Sequence, residues 1–143
     1  MIDYQLFANI PFFAELPEKR LKQIAKECEI EEFEKDACII QQDVPGLGLY
    51  ILLSGRVKVY RTSKRGISKE LAVLHPQQFF GEMALLDGGL RSATVVALEN
   101  VSCAVLSRWK FSKYLRKFPE INLNILPVLV KRIRDLEKRL IES

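Results

Sequence analysis

Hydrophobic positions near the N-terminus recur at the spacing of a helix. Leu21, Ile24 and Ala25 follow Pro17, and proline is favoured at the first position of a helix. The pattern predicts a helix that continues to Cys28. Several apolar residues precede it, and we expect them to pack this helix onto the core rather than to serve as a stacking platform. They are Phe7, Ile10, Phe12 and Phe13.

Over residues 29–107 the helical spacing gives way to short apolar or alternating runs separated by turn residues. The predicted strands cover residues 28–33, 38–40, 49–53, 57–60, 71–74, 94–98 and 101–106. Many short strands at regular spacing, with turn signals between them, are typical of a sandwich, a barrel or a jelly roll. We therefore predict a mostly β fold with flanking helices.

Helical spacing returns towards the C-terminus. Ser107 is suited to cap a short amphipathic helix from Trp109 to Lys117, because its hydroxyl can accept a hydrogen bond from a backbone N–H. Pro119 should end this helix, since proline disfavours a helical conformation in the residue before it. A longer helical segment then covers residues 120–142. Pro127 lies inside it, where we expect either a kink or a fresh helix start.

The long segment carries an apolar stripe whose members are three and four residues apart. This is the spacing of a coiled-coil seam, which predicts a homodimer through residues 120–142. Two heptads are short enough that the stripe could instead dock onto the β-domain of its own chain, and we favour the dimer. The stripe consists of Leu126, Leu129, Ile133, Leu136 and Leu140.

The length and charge of the chain fit one ordinary globular domain over residues 1–143. A chain of 143 residues is long enough to bury a core. Its 22 basic and 18 acidic residues give a net charge of +4. Basic residues near the C-terminus alternate with acidic ones, which is typical of a solvated helix face rather than of a nucleic-acid-binding patch.

Cysteine and histidine usage argues against metal and catalytic chemistry. Cys28, Cys38 and Cys103 are widely spaced and form no CxxC pair, so a zinc or iron–sulfur site is not expected. Free thiols fit a reducing compartment, and we find neither a signal peptide nor a membrane-spanning run, so we predict a cytoplasmic protein. His75 is the single histidine and has no nucleophile partner, so we predict no enzyme, no metal and no cofactor.

Residues 79–93 hold the most informative chemistry of the chain. Gly81 permits close approach of the backbone to a ligand, and Glu82 is suited to accept hydrogen bonds from sugar hydroxyls. Arg91 offers a planar fork that matches phosphate oxygens, with the hydroxyl of Ser92 beside it. Each residue also has a structural alternative, because Glu82 and Arg91 could form an ion pair and the glycines could serve turns.

Taken together, this run resembles the phosphate-binding cassette of the cyclic nucleotide-binding domain family. The cassette reads Phe-Gly-Glu, an aliphatic residue, Ala, two aliphatics, a short loop, then Arg, a small residue and Ala. Here those positions are residues 80–86 and 91–93. Residues 45–60 are similar to an early hairpin of the family. The resemblance covers essentially the whole chain and is closest to the sensor half of bacterial catabolite-activator and oxygen-response regulators.

The resemblance implies a double-stranded β-helix, a jelly-roll-like β-roll, over residues 29–107 with the cassette at 79–93. It implies an N-terminal helical part over 1–28 and C-terminal helices over 108–143. Glu82 is expected to bind the ribose 2′-hydroxyl and Arg91 the cyclic phosphate. The amides of Gly81, Glu82, Ala84 and Ser92 are expected to line that phosphate, and Met83 and Ala93 complete the expected ligand-binding set. By ungapped alignment, the base-contacting positions fall on Leu136 and Glu137.

Several departures from the family pattern matter for function. Asp43 stands where glycine is frequent, and Leu90 stands where proline is frequent. Aspartate tolerates turn geometry, so the first departure should be mild. We find no helix-turn-helix pattern, which predicts no nucleic-acid-binding domain within this chain.

The sequence therefore predicts a regulatory module that binds a cyclic nucleotide and signals through its C-terminal helix, with a role in transcription regulation. The resemblance implies that the serine at position 92 favours cAMP, with cGMP as the other candidate. Two alternatives stay open. The chain could be a structural dimerisation module of the same fold without nucleotide, or the N-terminal fragment of a DNA-binding regulator.

Overall fold

The structure is a computed structural model that describes residues 2–142, and its contacts separate the chain into two compact units. Residues 27–112 form the β unit. Its strands are β1 Glu29–Phe33, β2 Cys38–Ile40, β3 Gly48–Ser54, β4 Val57–Thr62, β5 Ser68–Leu74, β6 Phe79–Phe80, β7 Thr94–Ala97 and β8 Val101–Ser107. Its short helix α2 is Ala84–Asp87, and α3, Arg108–Lys117, starts at the end of β8.

The strands form two antiparallel four-stranded sheets, which confirms the predicted β-roll fold. One sheet has the order β1–β8–β3–β6 and the other the order β2–β7–β4–β5. Apolar side chains from both sheets share one core, because alternate residues of each strand face inward. The fully buried members of this core include Leu52, Val57, Val95, Ala97 and Cys103.

Two loops of the β unit are joined by backbone hydrogen bonds, and this junction positions the cassette. The amide of Asp43 donates to the carbonyl of Arg91 over 2.8 Å, and the amide of Arg91 donates to the carbonyl of Val44 over 2.9 Å. The amide of Gly46 donates to the carbonyl of Gly89 over 2.9 Å. The chain after α2 is thereby fixed against the segment that leads into β3.

The second unit combines residues 2–26 with 113–142 and is helical. It contains 3₁₀ helices at Tyr4–Asn9 and Pro119–Ile121, helix α1 at Glu18–Glu27, and helix α4 at Asn122–Glu142. The predicted N-terminal helix is confirmed as α1, and the four apolar residues that precede it are buried. Phe7 and Phe13 pack edge to face with ring centroids 5.6 Å apart. Arg20 of α1 forms an ion pair with Glu120 over 2.7 Å.

The start of α3 follows the capping prediction. The amide of Lys110 donates to the hydroxyl of Ser107 over 3.1 Å, which is the N-cap bond to the third helical residue. The helix ends at Lys117, directly before Phe118 and Pro119. The helix starts at Arg108, one residue before the predicted Trp109, and its end at Lys117 is as predicted.

The long helix differs from the prediction at its beginning. It starts at Asn122 rather than residue 120, because Pro119–Ile121 adopts a 3₁₀ turn first. Pro127 lies inside the helix, which continues through it, so the alternative of a fresh start at Pro127 is wrong. Proline lacks an N–H, so the helix forgoes one backbone hydrogen bond at this position. No helix among the described residues is both long and apolar enough to cross a bilayer.

The predicted apolar stripe lies on α4 and is largely exposed in the chain. Four of its side chains are between 54% and 77% exposed, and Leu129 is half-buried. By contrast, Ile125 is buried in the helical unit. An exposed row of large apolar side chains favours coverage by a partner. The four exposed members are Leu126, Ile133, Leu136 and Leu140.

Candidate functional site

The residues after β6 line a cleft in the β unit with a volume of about 360 Å³. This volume lies within the usual range for small-molecule pockets, about 300–1,000 Å³. Apolar side chains of β2, β4 and β7 form its inner wall, namely Ile40, Val59 and Val95. The other lining residues come from the cassette: Phe80, Gly81, Glu82, Met83, Ala84, Asp87, Gly89, Leu90, Arg91, Ser92 and Ala93.

Arg91 is a buried arginine within this lining, only 7% exposed. Its Nη2 donates to the carbonyl of Gly48 over 2.8 Å, and its Nη1 donates to the carbonyl of Gly81 over 3.2 Å. Its Cζ lies 5.9 Å from the centroid of the Tyr50 ring. Two hydrogen bonds and an aromatic ring therefore hold the guanidinium, which has five N–H donors in total, in one orientation.

Two glycines allow the backbone to approach this guanidinium closely. Gly81 has a φ of +83°, a conformation that side chains other than glycine rarely adopt. A methyl group at Gly81 would lie 2.5 Å from Nη1 of Arg91 and 2.9 Å from the carbonyl oxygen of Gly48. A methyl group at Gly46 would lie 2.8 Å from Cζ of Arg91 and would also collide with Ala84. The packing around Arg91 therefore requires glycine at both positions.

Arg91 is the one cation among the described residues that line the cleft, and the carboxylates of Glu82 and Asp87 line it too. Burial lowers the pKa of Arg91, while the charge of Glu82 acts in the opposite direction. Burying a charged group is costly unless another charge or several hydrogen bonds compensate for it. The two carbonyls that accept from Arg91 carry no formal charge, so an anion in the cleft would stabilise the guanidinium.

The structure brings the seven predicted ligand-binding residues together around one cleft. Ala84 and Ala93 are buried, Met83 and Ser92 are exposed, and Glu82 has intermediate exposure. All five line the cleft together with Gly81 and Arg91.

The two predicted base-contacting residues lie elsewhere in the chain. Leu136 and Glu137 belong to α4 of the helical unit, and both side chains are exposed. Their contact with a base stays a prediction.

Sequence reasoning missed several residues that shape the site. Tyr50 stacks on Phe80 with ring centroids 5.1 Å apart and planes 2° from parallel, and its ring lies beside Arg91. Gly46 and Gly48 surround the guanidinium. The alternation of β3 offered a signal, because Gly48 and Tyr50 are two residues apart and therefore share a face.

The two departures from the family pattern have different structural consequences. Asp43 has a φ of +66°, so the aspartate adopts the turn conformation that it was expected to tolerate. Leu90 lines the cleft and is 64% exposed. Among residues 2–142, no group of three His, Cys, Asp or Glu side chains could hold a metal ion.

Comparison with known proteins identifies the family. The family model for the cyclic nucleotide-binding domain matches residues 30–118, more than half of the chain. The chain belongs to the cyclic nucleotide-binding domain family. The match spans the β-roll, the cassette and α3, so the fold and the resemblance drawn from the sequence are both confirmed.

Relatives of this cyclic nucleotide-binding domain include regulators and kinases. It is 37% identical over 102 residues to a cyclic AMP receptor protein of Thermus thermophilus, covering 71% of this chain and 47% of that protein. It is 32% identical over 133 residues to human cGMP-dependent protein kinase 2, covering 92% of this chain and 18% of the kinase. The chain therefore spans less than half the length of either relative.

A solved structure matches this cyclic nucleotide-binding domain almost end to end. It is the N-terminal domain of a transcriptional regulator from Streptomyces coelicolor A3(2), with a TM-score of 0.86 and 28% identity. The match covers 96% of each chain. The match therefore includes the flanking helices as well as the β-roll.

Proposed function

We propose that residues 1–143 act as one regulatory domain that binds a cyclic nucleotide, with cAMP as the preferred ligand, and that catalyses no reaction. The observation that carries the proposal is the buried guanidinium of Arg91, which lines a cleft and donates to uncharged carbonyls. A cyclic phosphodiester carries one negative charge, and a guanidinium binds phosphate oxygens through paired hydrogen bonds.

The other cassette residues would orient the rest of the ligand. The carboxylate of Glu82 would accept a hydrogen bond from the ribose 2′-hydroxyl, since an ionised carboxylate only accepts. The amides of Gly81, Glu82, Ala84 and Ser92 would donate to the phosphate. Met83 and Ala93 would contact the ligand from the lining of the cleft.

The base and its selectivity form the finer part of the proposal. Leu136 and Glu137 on α4 would contact the base, which would couple ligand binding to the C-terminal helix. Ser92 favours cAMP, whereas one relative is named for cGMP dependence. Coupling of this kind is allosteric only if two states of the helix bind the ligand with different affinity. We infer that the response serves transcription regulation in the cytoplasm through a homodimer.

Isothermal titration calorimetry tests this function directly. The chain is titrated with cAMP, cGMP, 5′-AMP and adenosine. We expect saturable binding of cAMP, weaker binding of cGMP, and no measurable binding of adenosine, which lacks the phosphate. Tighter binding of cGMP would reverse the base preference. Absence of heat with both cyclic nucleotides would instead favour a dimerisation module without nucleotide.

A further inference from the structure

The hairpin of β4 and β5 carries an excess of positive charge equal to the net charge of the whole chain. Within residues 58–70, which we call the basic ribbon, there are five basic residues and one acidic residue, Glu70. This difference equals the net charge of +4 of the entire chain, so the remaining residues are neutral in sum. The five basic residues are Lys58, Arg61, Lys64, Arg65 and Lys69.

The outer half of the basic ribbon extends beyond the sheet. Strand β7 pairs with β4 only from Val57 to Tyr60. Beyond that point no third strand pairs with the hairpin, and Arg61 lies opposite Lys69. The side chain of Gln42 exchanges two hydrogen bonds with the backbone of Thr62, and the hairpin continues past this contact to its turn. The turn is closed by a hydrogen bond from the amide of Ser63 to the carbonyl of Ile67 over 2.9 Å. Residues 63–71 are all exposed, and Ile67 at the turn is 67% exposed.

The described part of the chain offers these five cations no ion-pair partner. Of the ion pairs among residues 2–142, none involves any of the five. Arg61 and Lys69 stand directly opposite each other, and like charges in such a cross-strand pair are destabilising. The ammonium of Lys58 lies 5.5 Å from the centroid of the Tyr60 ring. An external anion would relieve the repulsion between Arg61 and Lys69.

The five cations lie on both faces of the basic ribbon and at its turn, rather than on one side of it. Val59 lines the nucleotide cleft, so Arg61, two residues later, shares that face of β4, together with its cross-strand neighbour Lys69. Lys58 shares the opposite face with Tyr60, because these two side chains are also two residues apart. Lys64 and Arg65 lie in the turn.

We propose that the basic ribbon binds the phosphate backbone of a nucleic acid duplex. A protruding two-stranded ribbon with cations on both faces and at its tip fits a groove whose two walls are both lined with phosphates. The major groove of B-DNA, about 12 Å wide, admits a two-stranded β-ribbon. A membrane or an acidic protein face would engage only one side of the ribbon.

This contact is independent of sequence readout and of the proposed nucleotide function. The sequence predicted no nucleic-acid-binding domain because a helix-turn-helix pattern is missing, and the basic ribbon does not need that motif. Phosphate contacts position a protein on a duplex and supply non-specific affinity.

Fluorescence anisotropy with a labelled DNA duplex of random sequence tests the proposal. Binding is measured without cyclic nucleotide at salt concentrations from about 50 to 200 mM, where phosphate contacts dominate the salt dependence. A ribbon variant replaces four cations by glutamine: Arg61→Gln, Lys64→Gln, Arg65→Gln and Lys69→Gln. A control variant removes four exposed cations elsewhere: Lys19→Gln, Lys26→Gln, Lys35→Gln and Arg116→Gln. Both variants have the same net charge.

We expect the ribbon variant to bind the duplex about tenfold more weakly or worse, and the slope of log K against log salt to fall by about 0.9 for each phosphate that the variant no longer neutralises. The control variant should bind like the unmodified chain. Equal weakening in both variants would overturn the proposal, because only net charge would then matter. Preference for anionic phosphatidylserine vesicles or for polyglutamate over the duplex would also overturn it. Circular dichroism verifies that both variants are folded.

Discussion

At the scale of single residues, the site is built around one guanidinium that the backbone holds in place. Gly48 and Gly81 accept its hydrogen bonds, and Tyr50 lies beside it. The sequence alone identified Arg91 and Glu82, because the cassette has a recognisable order of residue types. It could not identify Gly46, because the role of this residue depends on how two distant loops pair across the β unit.

Glu82 should determine the preference for a ribose with a free 2′-hydroxyl. We expect Glu82→Ala to weaken cAMP binding by about 1.5–3 kcal/mol, the usual contribution of a hydrogen bond to a charged group. Binding of 2′-deoxy-cAMP should change much less. Calorimetry with both ligands measures the difference, and Glu99→Ala, which alters an exposed carboxylate paired with Arg56, serves as a control. A Glu82→Ala protein that keeps the full preference for the ribo form would exclude this role.

Gly81 offers a test of the close packing around Arg91. Gly81→Ala should reduce both cAMP affinity and stability, because the added methyl group meets the guanidinium in a backbone conformation that already disfavours alanine. Gly66→Ala is a matched control, since Gly66 has a φ of +82° and nothing within 4 Å of the added methyl group. Both variants bear the backbone cost, about 0.5–1 kcal/mol or more.

Chemical denaturation and calorimetry separate the two contributions of Gly81. The loss of stability that Gly81→Ala shows beyond Gly66→Ala measures crowding, and only Gly81→Ala should lose affinity for cAMP. Equal effects of the two substitutions on binding would mean that the approach of the backbone to Arg91 has no part in ligand recognition.

At the scale of elements, the sequence predicted most strands and helices but not the parts that depend on tertiary contacts. Seven of the eight strands follow the predicted apolar runs, whereas β6, with only two residues, is recognisable only through its pairing with Tyr50 and Ile51. Helix α2 is four residues long, too short for a helical period to show. The helix α4 continues through Pro127 because the surrounding turns outweigh one missing hydrogen bond.

The hydroxyl of Ser107, which caps α3, should contribute to the stability of the protein. Ser107→Ala should destabilise the protein by about 1 kcal/mol, because the amide of Lys110 loses its side-chain acceptor. Ser112→Ala, inside the same helix, should cost less or stabilise it, since alanine has the higher helix propensity. Urea denaturation of both variants measures the two free energies of unfolding. If the two substitutions have the same effect, the Ser107 hydroxyl does not act as the cap.

At the scale of the whole molecule, the exposed stripe on α4 predicts a homodimer. Ile133 and Leu136 are each more than half exposed, and a two-fold contact would bury the same stripe from both chains. We expect Ile133→Asp combined with Leu136→Asp to give monomers, because like charges would be buried in the seam. Lys131→Asp combined with Lys138→Asp, off the stripe, is the control and should stay dimeric.

Sedimentation velocity distinguishes the possible states of association. The unmodified chain and the control should sediment as dimers at micromolar concentration, and the variant with both aspartates on the stripe should sediment as a monomer. An unmodified chain that is monomeric at high micromolar concentration would rule out the seam, and a signal from the cleft to α4 would then need another route.

We propose that Arg91 binds the phosphate of a cyclic nucleotide, and calorimetry of cAMP with Arg91→Gln measures this contribution. Glutamine keeps a donor for one of the two carbonyls but removes the charge and the fork, and Arg56→Gln, at an exposed arginine of the same unit, is the matched control. Thermal unfolding verifies that each variant is folded at the temperature of titration. If Arg91→Gln is unfolded at that temperature, Arg91→Lys, which retains the charge, is titrated instead. We expect Arg91→Gln to weaken cAMP binding by about 2–4 kcal/mol, roughly 30-fold to 1,000-fold, while the control binds normally. Unchanged affinity for cAMP in a folded Arg91→Gln protein would mean that Arg91 does not bind the phosphate.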